Sequence, residues 1–176
     1  MSVLTNGQYF GGSLEDLLLA RSACKLPLLR KEFIVDAYQI YEAKAYGADA
    51  ILLIAACLSA EETNQLAKTA KDIGLDVLLE VHNLEELEQI PLTYVDVVGV
   101  NNRNLKDFSV DQNTSIRLAA HIPNDKVKIS ESGISSYYAI EKLMQAGFDG
   151  FLMGEYFMLQ DSPGLAAQKF IQNFES

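Results

Sequence analysis

Short apolar runs, each closed by charged residues or a glycine, alternate along this chain with stretches of helical periodicity. Residues 26–36 (LPLLRKEFIVD) show the design first, where an apolar run stops at Arg30-Lys31-Glu32 and passes into a helical pattern. The punctuation recurs. Residues 51–54 are followed by Ala55-Ala56, 77–79 by Glu80-Val81-His82, and 95–100 by Asn101-Asn102-Arg103. Residues 127–129 are followed by Ser130-Glu131-Ser132-Gly133, and 151–153 by Gly154-Glu155. Strands buried on both faces of a parallel sheet read as continuous apolar runs. The polar residues at their C-terminal ends lie where parallel α/β proteins keep their chemistry.

The elements follow in order. Residues 2–5 (SVLT) predict a short strand and 6–12 a turn-rich segment, after which Ser13 caps a helix with Leu14, Leu17, Leu18 and Ala20 on one face. A strand over 27–30 precedes a helix over 36–46, stopped by Gly47. Then come a strand over 50–56 and a helix from Ser59 to near Gly74, with Glu61 and Glu62 in the first turn where the helix dipole favours them. A strand over 76–81, a helix over 84–89 capped by Asn83 and a strand over 95–100 follow. A helix over 111–120, capped by Asp111 or Asn113, ends before Pro123 and a strand over 126–130. Ser135 or Ser136 caps the next helix, which Gly147 closes; a strand over 150–153, an irregular piece over 156–161 and a helix from Pro163 onward complete the pattern.

Such alternation, with a period of roughly 20 to 30 residues, implies right-handed βαβ crossovers and a parallel sheet. No linker divides residues 1–176, so one domain is expected. The fold class is α/β, of the (β/α)8 TIM-barrel type but incomplete, with about seven strands against the eight of a closed barrel.

Composition narrows the partners. An apolar share of 49% with 22% charged residues suits a globular chain with a real core. A formal charge of -10 argues against nucleic acid and anionic membranes, which require a basic face. Cys24 and Cys57 lack the companion spacing of a zinc or CxxC site and read as reduced thiols. With no apolar run of membrane-spanning length and no signal pattern, a cytoplasmic location is expected.

Gathered on one rim, the strand-terminal residues become a candidate site. Lys31 can act as a proton donor or pair with a carbonyl or phosphate; taken singly it also reads as a solvated lysine. Glu80, ending an apolar strand, is expected to have a raised pKa suited to proton transfer, the alternative being an ion pair with a neighbouring lysine. His82 shares its face of the strand but lacks metal-ligand spacing, and is read as supporting structure. Asn101 and Arg103, two apart, aim to one side and suit a carboxylate or hydroxyl, although Asn-rich turns also explain them. Gly133 and Gly154, in the last two βα turns, allow backbone N–H groups to approach a phosphate.

Taken together, the motifs LRKEFIVDAYQIYEAKAYGADAILLIAA, LLEVH, VGVNNRNL, SESGI and LMGE resemble the indole-3-glycerol-phosphate synthase family of tryptophan biosynthesis, over nearly the whole chain. The resemblance implies a lyase: 1-(2-carboxyphenylamino)-1-deoxyribulose 5-phosphate loses carbon dioxide and water as an indole ring closes. It makes Lys31 the general acid and Glu80 the general base, with Asn101 as a further catalytic position. Arg103, Glu131 and Ser132 contact the substrate, Phe33 and Leu52 bed its aromatic ring, and Gly133, Gly154 and Glu155 hold its phosphate. No metal or organic cofactor is implied.

Two departures accompany the likeness. Tyr156 stands where the family reads serine after Gly-Glu. SVLT matches the family's second strand, so a first strand and an N-terminal extension are expected to be missing, with reduced activity and self-association through open sheet edges as consequences. The competing readings are a non-catalytic barrel remnant acting as an assembly or binding module, and another phosphate-binding barrel such as a sugar-phosphate isomerase or epimerase.

Overall fold

The computed structural model describes residues 1–174. Seven strands, β1 (Ser2–Leu4), β2 (Leu29–Lys31), β3 (Ala50–Ile54), β4 (Asp76–Val81), β5 (Val97–Asn101), β6 (Val127–Glu131) and β7 (Gly150–Leu152), form one parallel sheet in sequential order. The helices are α1 (Gly7–Phe10), α2 (Leu14–Ala23), α3 (Ala37–Ala45), α4 (Ala60–Asp72), α5 (Leu84–Gln89), α6 (Asn113–Leu118), α7 (Tyr137–Gln145), α8 (Glu155–Met158) and α9 (Pro163–Phe174).

The sheet is curled, and side-chain geometry proves it. β2 and β6 stand four strand positions apart, roughly 19 Å across a flat sheet. Yet Lys31 of β2 and Glu131 of β6 meet at 3.0 Å, which requires a concave inner face. The architecture is an incomplete (β/α)8 barrel. Among the described residues β1 pairs only with β2, and β7 only with β6.

Period-two alternation divides each strand between two cores. Ile51, Leu53, Val77, Leu79, Val98 and Val100 point outward and pack with helix residues such as Leu17, Ile40, Leu66 and Leu143. Leu52, Ile54 and Leu78 point inward and pack with Leu29, Phe33, Val97, Ile129 and Leu152. Each fully buried aliphatic side chain stabilises the fold by about 1.5–3 kcal/mol before entropy is counted.

The helix starts follow the capping chemistry of the sequence. Ser13, Asn83 and Ser136 accept backbone N–H bonds at their helix ends, and Asp36–Gln39 and Ser59–Glu62 form reciprocal capping boxes. At the opposite end of the sheet, Asp49, Asp96 and Asp149 each precede a strand and accept a backbone N–H from the start of the neighbouring strand, that of Leu28 just before β2, Val77 in β4 and Lys128 in β6, at 2.8, 2.9 and 2.8 Å. The N-terminal face is thereby devoted to holding register.

Several expectations shift. The predicted turn over 6–12 contains α1, and the irregular piece over 156–161 opens within α8. β2 begins two residues later than expected, because Pro27 has no N–H to give to a ladder. α6 lacks the expected side-chain cap: its N-cap is Gln112, and Asp111 instead accepts from Asn113 in a tight turn. In α2 only Leu17 is fully buried, while Leu18 is 52% exposed. That helix packs on β1, the last strand on its side, so a wider apolar face has little sheet to cover.

Candidate active site

Four inward-facing positions at the C-terminal ends of β2, β4, β5 and β6 build the centre of the site. Leu29 and Lys31, Leu78 and Glu80, Val97 and Asn101, and Ile129 and Glu131 share the inner face by alternation. On β2, β4 and β6 the polar residue lies one inward position above its apolar partner in the barrel floor; on β5 Gly99 intervenes between Val97 and Asn101. Lys31 Nζ donates to Glu80 Oε2 at 3.2 Å and to Glu131 Oε2 at 3.0 Å. Asn101 Nδ2 donates to Glu80 Oε1 at 3.0 Å, and Asn101 Oδ1 accepts the backbone N–H of Arg103 at 2.9 Å. Gly99, inward on β5 between Val97 and Asn101, makes room for Glu131. A Cβ there would collide with Glu131 Oε1 and come within 3.1 Å of Leu78 Cδ1.

One cation thus serves two buried carboxylates, and their environments differ. Burial alone would raise the pKa of Glu80, but the approach of the His82 ring at 3.4 Å, the charge of Lys31 and the bond from Asn101 outweigh it and bring it down to about 2. Burial dominates at Glu131; Lys31 opposes it only in part, and the charge of Glu80 adds to it, leaving the group raised to about 7. The expected raised pKa therefore belongs to Glu131 and not to Glu80. The reason is partner number, which Glu80 gains from β2, β5 and its own strand. Burial pulls the Lys31 pKa down, yet the charges of Glu131 and Glu80 more than compensate and hold it above its ordinary value. Lys31 is therefore a firmly protonated cation, not one readied to lose its proton by desolvation.

The remaining sequence candidates surround this cluster. Arg103 lies just past β5, with Nη2 3.0 Å from Glu155 Oε2, so two rim loops are joined by an ion pair. Ser132 and Gly133 carry the chain away from β6 with consecutive left-handed φ values of 70° and 71°. Asn102 stabilises that turn: its side chain donates to the Ser132 carbonyl at 3.2 Å and to Ser130 Oγ at 3.0 Å, and accepts from Ser115 Oγ at 2.8 Å. Gly133 is also demanded by packing, since a Cβ would strike Val110. At Gly154 a Cβ would meet nothing within 4 Å. Phe33 carries Phe10 stacked on it at 5.4 Å between ring centroids and Tyr9 edge-on at 5.5 Å. Leu52 is 1% exposed and forms part of the barrel floor. Tyr156 packs edge-on against Phe157 and Phe170 at 5.2 and 5.5 Å.

Lys31, Glu80, Asn101 and Glu131 therefore form one bonded cluster, and Arg103 with Glu155 a second at the rim. His82, read from the sequence as structural or as support for a neighbouring site residue, has its Nε2 3.4 Å from Glu80 Oε1, a contact that the i, i+2 spacing signals. The Phe10 stack and the space supplied by Gly99 carry no local sequence signal. Among the described residues no group of three or more His, Cys, Asp or Glu could hold a metal ion, and no helix is long and apolar enough to cross a membrane.

A curled parallel sheet of βα units with a lysine between two carboxylates on its C-terminal rim defines a (β/α)-barrel protein whose polar cluster lies at the end where such barrels keep their sites. Comparison with known proteins narrows the class. The family model described as indole-3-glycerol phosphate synthase matches residues 1–170. Relatives called indole-3-glycerol phosphate synthase include those of Bacteroides thetaiotaomicron, 49% identical over 172 residues, and Polynucleobacter asymbioticus, 48% identical over 166. That of Campylobacter jejuni subsp. jejuni is 44% identical over 171 residues. These matches cover 98%, 94% and 97% of this chain and 66%, 62% and 66% of the respective relatives. The chain belongs to the indole-3-glycerol phosphate synthase family.

Proposed function

We propose that the chain carries the ring-closing chemistry of its family, as a carboxy-lyase acting on 1-(2-carboxyphenylamino)-1-deoxyribulose 5-phosphate in the cytoplasm. The observation that carries the reading is Lys31, a half-buried cation at the barrel's C-terminal rim, held between two buried carboxylates whose proton affinities are pushed apart. Such a split is the usual mark of divided acid and base roles.

In this reading Lys31 donates its proton to the ribulose carbonyl oxygen as the substituted ring carbon attacks the carbonyl carbon. Its carboxylate neighbours steady the ammonium before transfer and take up the proton balance afterwards. Carbon dioxide leaves from the ring carbon, restoring electrons to the ring. The hydroxyl formed from the carbonyl takes a second proton, supplied by the protonated Glu131 carboxyl directly or through Lys31, and departs as water, and Glu80 accepts the proton lost from carbon when the indole becomes aromatic. Asn101 orients Glu80, and Glu131 holds a proton near neutrality.

Phe33 and the floor around Leu52 bed the aromatic ring, which competes with Phe10 for the Phe33 face. Arg103 meets substrate charge by releasing Glu155, and Ser132 lines the same pocket. The phosphate rests on backbone N–H groups of Gly133, Gly154 and Glu155. The open space beside Gly154 supports this, since neither φ nor packing asks for glycine there. The Glu155 carboxylate, drawn toward Arg103, takes no part in phosphate binding.

The test is turnover of that substrate, followed by the fluorescence of indole-3-glycerol phosphate, in the chain and in Lys31→Ala. Loss of a positioned general acid lowers turnover by at least about 100-fold. Equal turnover in the two proteins refutes the role.

A further inference from the structure

Glu80 and Glu131 share Lys31, but their other surroundings are unequal. Glu131 Oε1 is buried without a hydrogen-bond partner, whereas both oxygens of Glu80 face donors. An ionised carboxylate oxygen left bare in the interior is costly, so the pair lowers its energy by placing a proton on Glu131. What keeps Glu80 on the ionised side is a third group beyond Lys31 and Asn101.

That group is His82, whose ring is held from behind. Glu86 Oε2 accepts the His82 backbone N–H at 2.7 Å and lies 3.2 Å from Nδ1, while Glu86 Oε1 accepts from Asn83 Nδ2 at 2.7 Å. The Asn83–Glu86 pair that starts α5 therefore also fixes the imidazole. With Nδ1 turned to Glu86, Nε2 faces Glu80 Oε1 at 3.4 Å, a charge contact rather than a hydrogen bond, and has no other partner. A ring with a carboxylate at each nitrogen favours the doubly protonated form.

We infer, on the basis of the ring-closing reading above, that His82 is a positioning residue: clamped by Glu86, its imidazolium holds Glu80 ionised and facing Lys31, so that Glu131 is the carboxylate that takes up a proton. Burial works against the charged ring, but the bonds and charges of Glu80 and Glu86 raise its pKa to about 9. The ionisable groups around it are Glu80 on β4, Glu86 on α5 and Cys57 on the turn after β3, whose thiol is pushed up by burial and then by Glu80 and Glu86. Arg117 and His121 share a cavity with His82, and Arg117 is paired with Asp111. Lys31 and Glu131 lie on the far side of Glu80.

The test is a side-chain carboxyl NMR titration of the whole chain without substrate, in wild type, His82→Gln and Glu86→Gln. In wild type Glu131 titrates near neutrality and Glu80 only in strong acid. In His82→Gln the Glu80 midpoint rises by at least about one pH unit, the usual effect of losing an adjacent opposite charge, while Glu131 still titrates near neutrality because Glu80 is ionised there in both proteins. In Glu86→Gln the His82 midpoint drops toward its ordinary value. This second variant keeps the ring in place and decides the matter if His82→Gln does not fold. An unmoved Glu80 midpoint in a folded His82→Gln overturns the inference, as does an unmoved His82 midpoint in Glu86→Gln. Where turnover is measurable, the acid limb of the kcat profile moves up with Glu80. If the titrations shift as stated and no variant, wild type included, closes the ring, the functional reading fails while the electrostatic role of His82 stands.

Discussion

Gly99→Ala introduces one carbon at the most crowded point of the site. The new Cβ overlaps Glu131 Oε1 and lies 3.1 Å from Leu78 Cδ1. Reaching an ordinary C···O separation of about 3.3 Å requires the carboxylate to move roughly 1 Å. Glu131 is 2% exposed, and Lys31 anchors its other oxygen at 3.0 Å, so the movement stretches that bond to about 4 Å, outside hydrogen-bonding range. Overpacking a dense core costs about 1–3 kcal/mol, and a weakened charge-assisted bond adds about 1–2 kcal/mol. Neutralisation of Glu131 limits the second loss. A net destabilisation of about 2–4 kcal/mol follows, which for a chain of this size lowers Tm by roughly 5–15 °C. The Glu131 carboxyl midpoint should rise further as Lys31 recedes. Calorimetry and carboxyl NMR measure the two effects separately. Wild-type Tm together with an unmoved Glu131 midpoint would show that its carboxylate does not occupy the space over Gly99.

Two other outcomes are expected. Stability should fall from a mildly acidic optimum in both directions. Glu80, depressed to about 2 from an ordinary 4.5, contributes stability above 4.5 that is lost as pH falls toward 2. Glu131, raised to about 7, binds more protons folded than unfolded and so removes stability as pH rises from 4.5 through 7. The stability that His82 contributes is complete below about 6.5 and is lost as pH rises through 9; urea denaturation at closely spaced pH values tests the profile, and a plateau from pH 5 to 9 contradicts it. The outer edges of β1 and β7, unpaired among the described residues, should draw copies of this 176-residue chain into association, so light scattering should show mass rising with concentration, and a monodisperse monomer at high concentration would count against edge pairing.

Much of the fold was legible because local signals agreed. The run DVLLEV predicts a strand over 76–81 with the bounds β4 has, and the helix expected from about Ser59 on its acidic first turn begins there as α4. Lys31, Glu80 and Asn101 could be singled out because each ends an apolar run, and parallel topology brings such ends together; Glu131 came only with the family resemblance. Their electrostatic division could not be read, because the partners that set it come from elsewhere in the chain. Lys31 is 49 residues from Glu80 and 100 from Glu131. The burial of α2 was misread for a related reason: helical periodicity marks an apolar face but not how much sheet lies beneath it. Gly99 reads locally as an apolar strand position, and its function depends on a carboxylate from the adjoining strand.

The separation between Lys31 and Glu131 also bears on when the site comes into being. Because the strands are laid down in sequence order, every pairing in the sheet joins consecutive βα units, and each loop that must close is short. The Lys31–Glu131 bond instead spans 100 residues, and it forms only after the strands from β2 to β6 are aligned and the ribbon has curved. Local order can be extensive before that moment, with helices capped and neighbouring strands paired, while the carboxylates are still apart. The charged centre is a late product of assembly, and its formation reports the arrival of curvature.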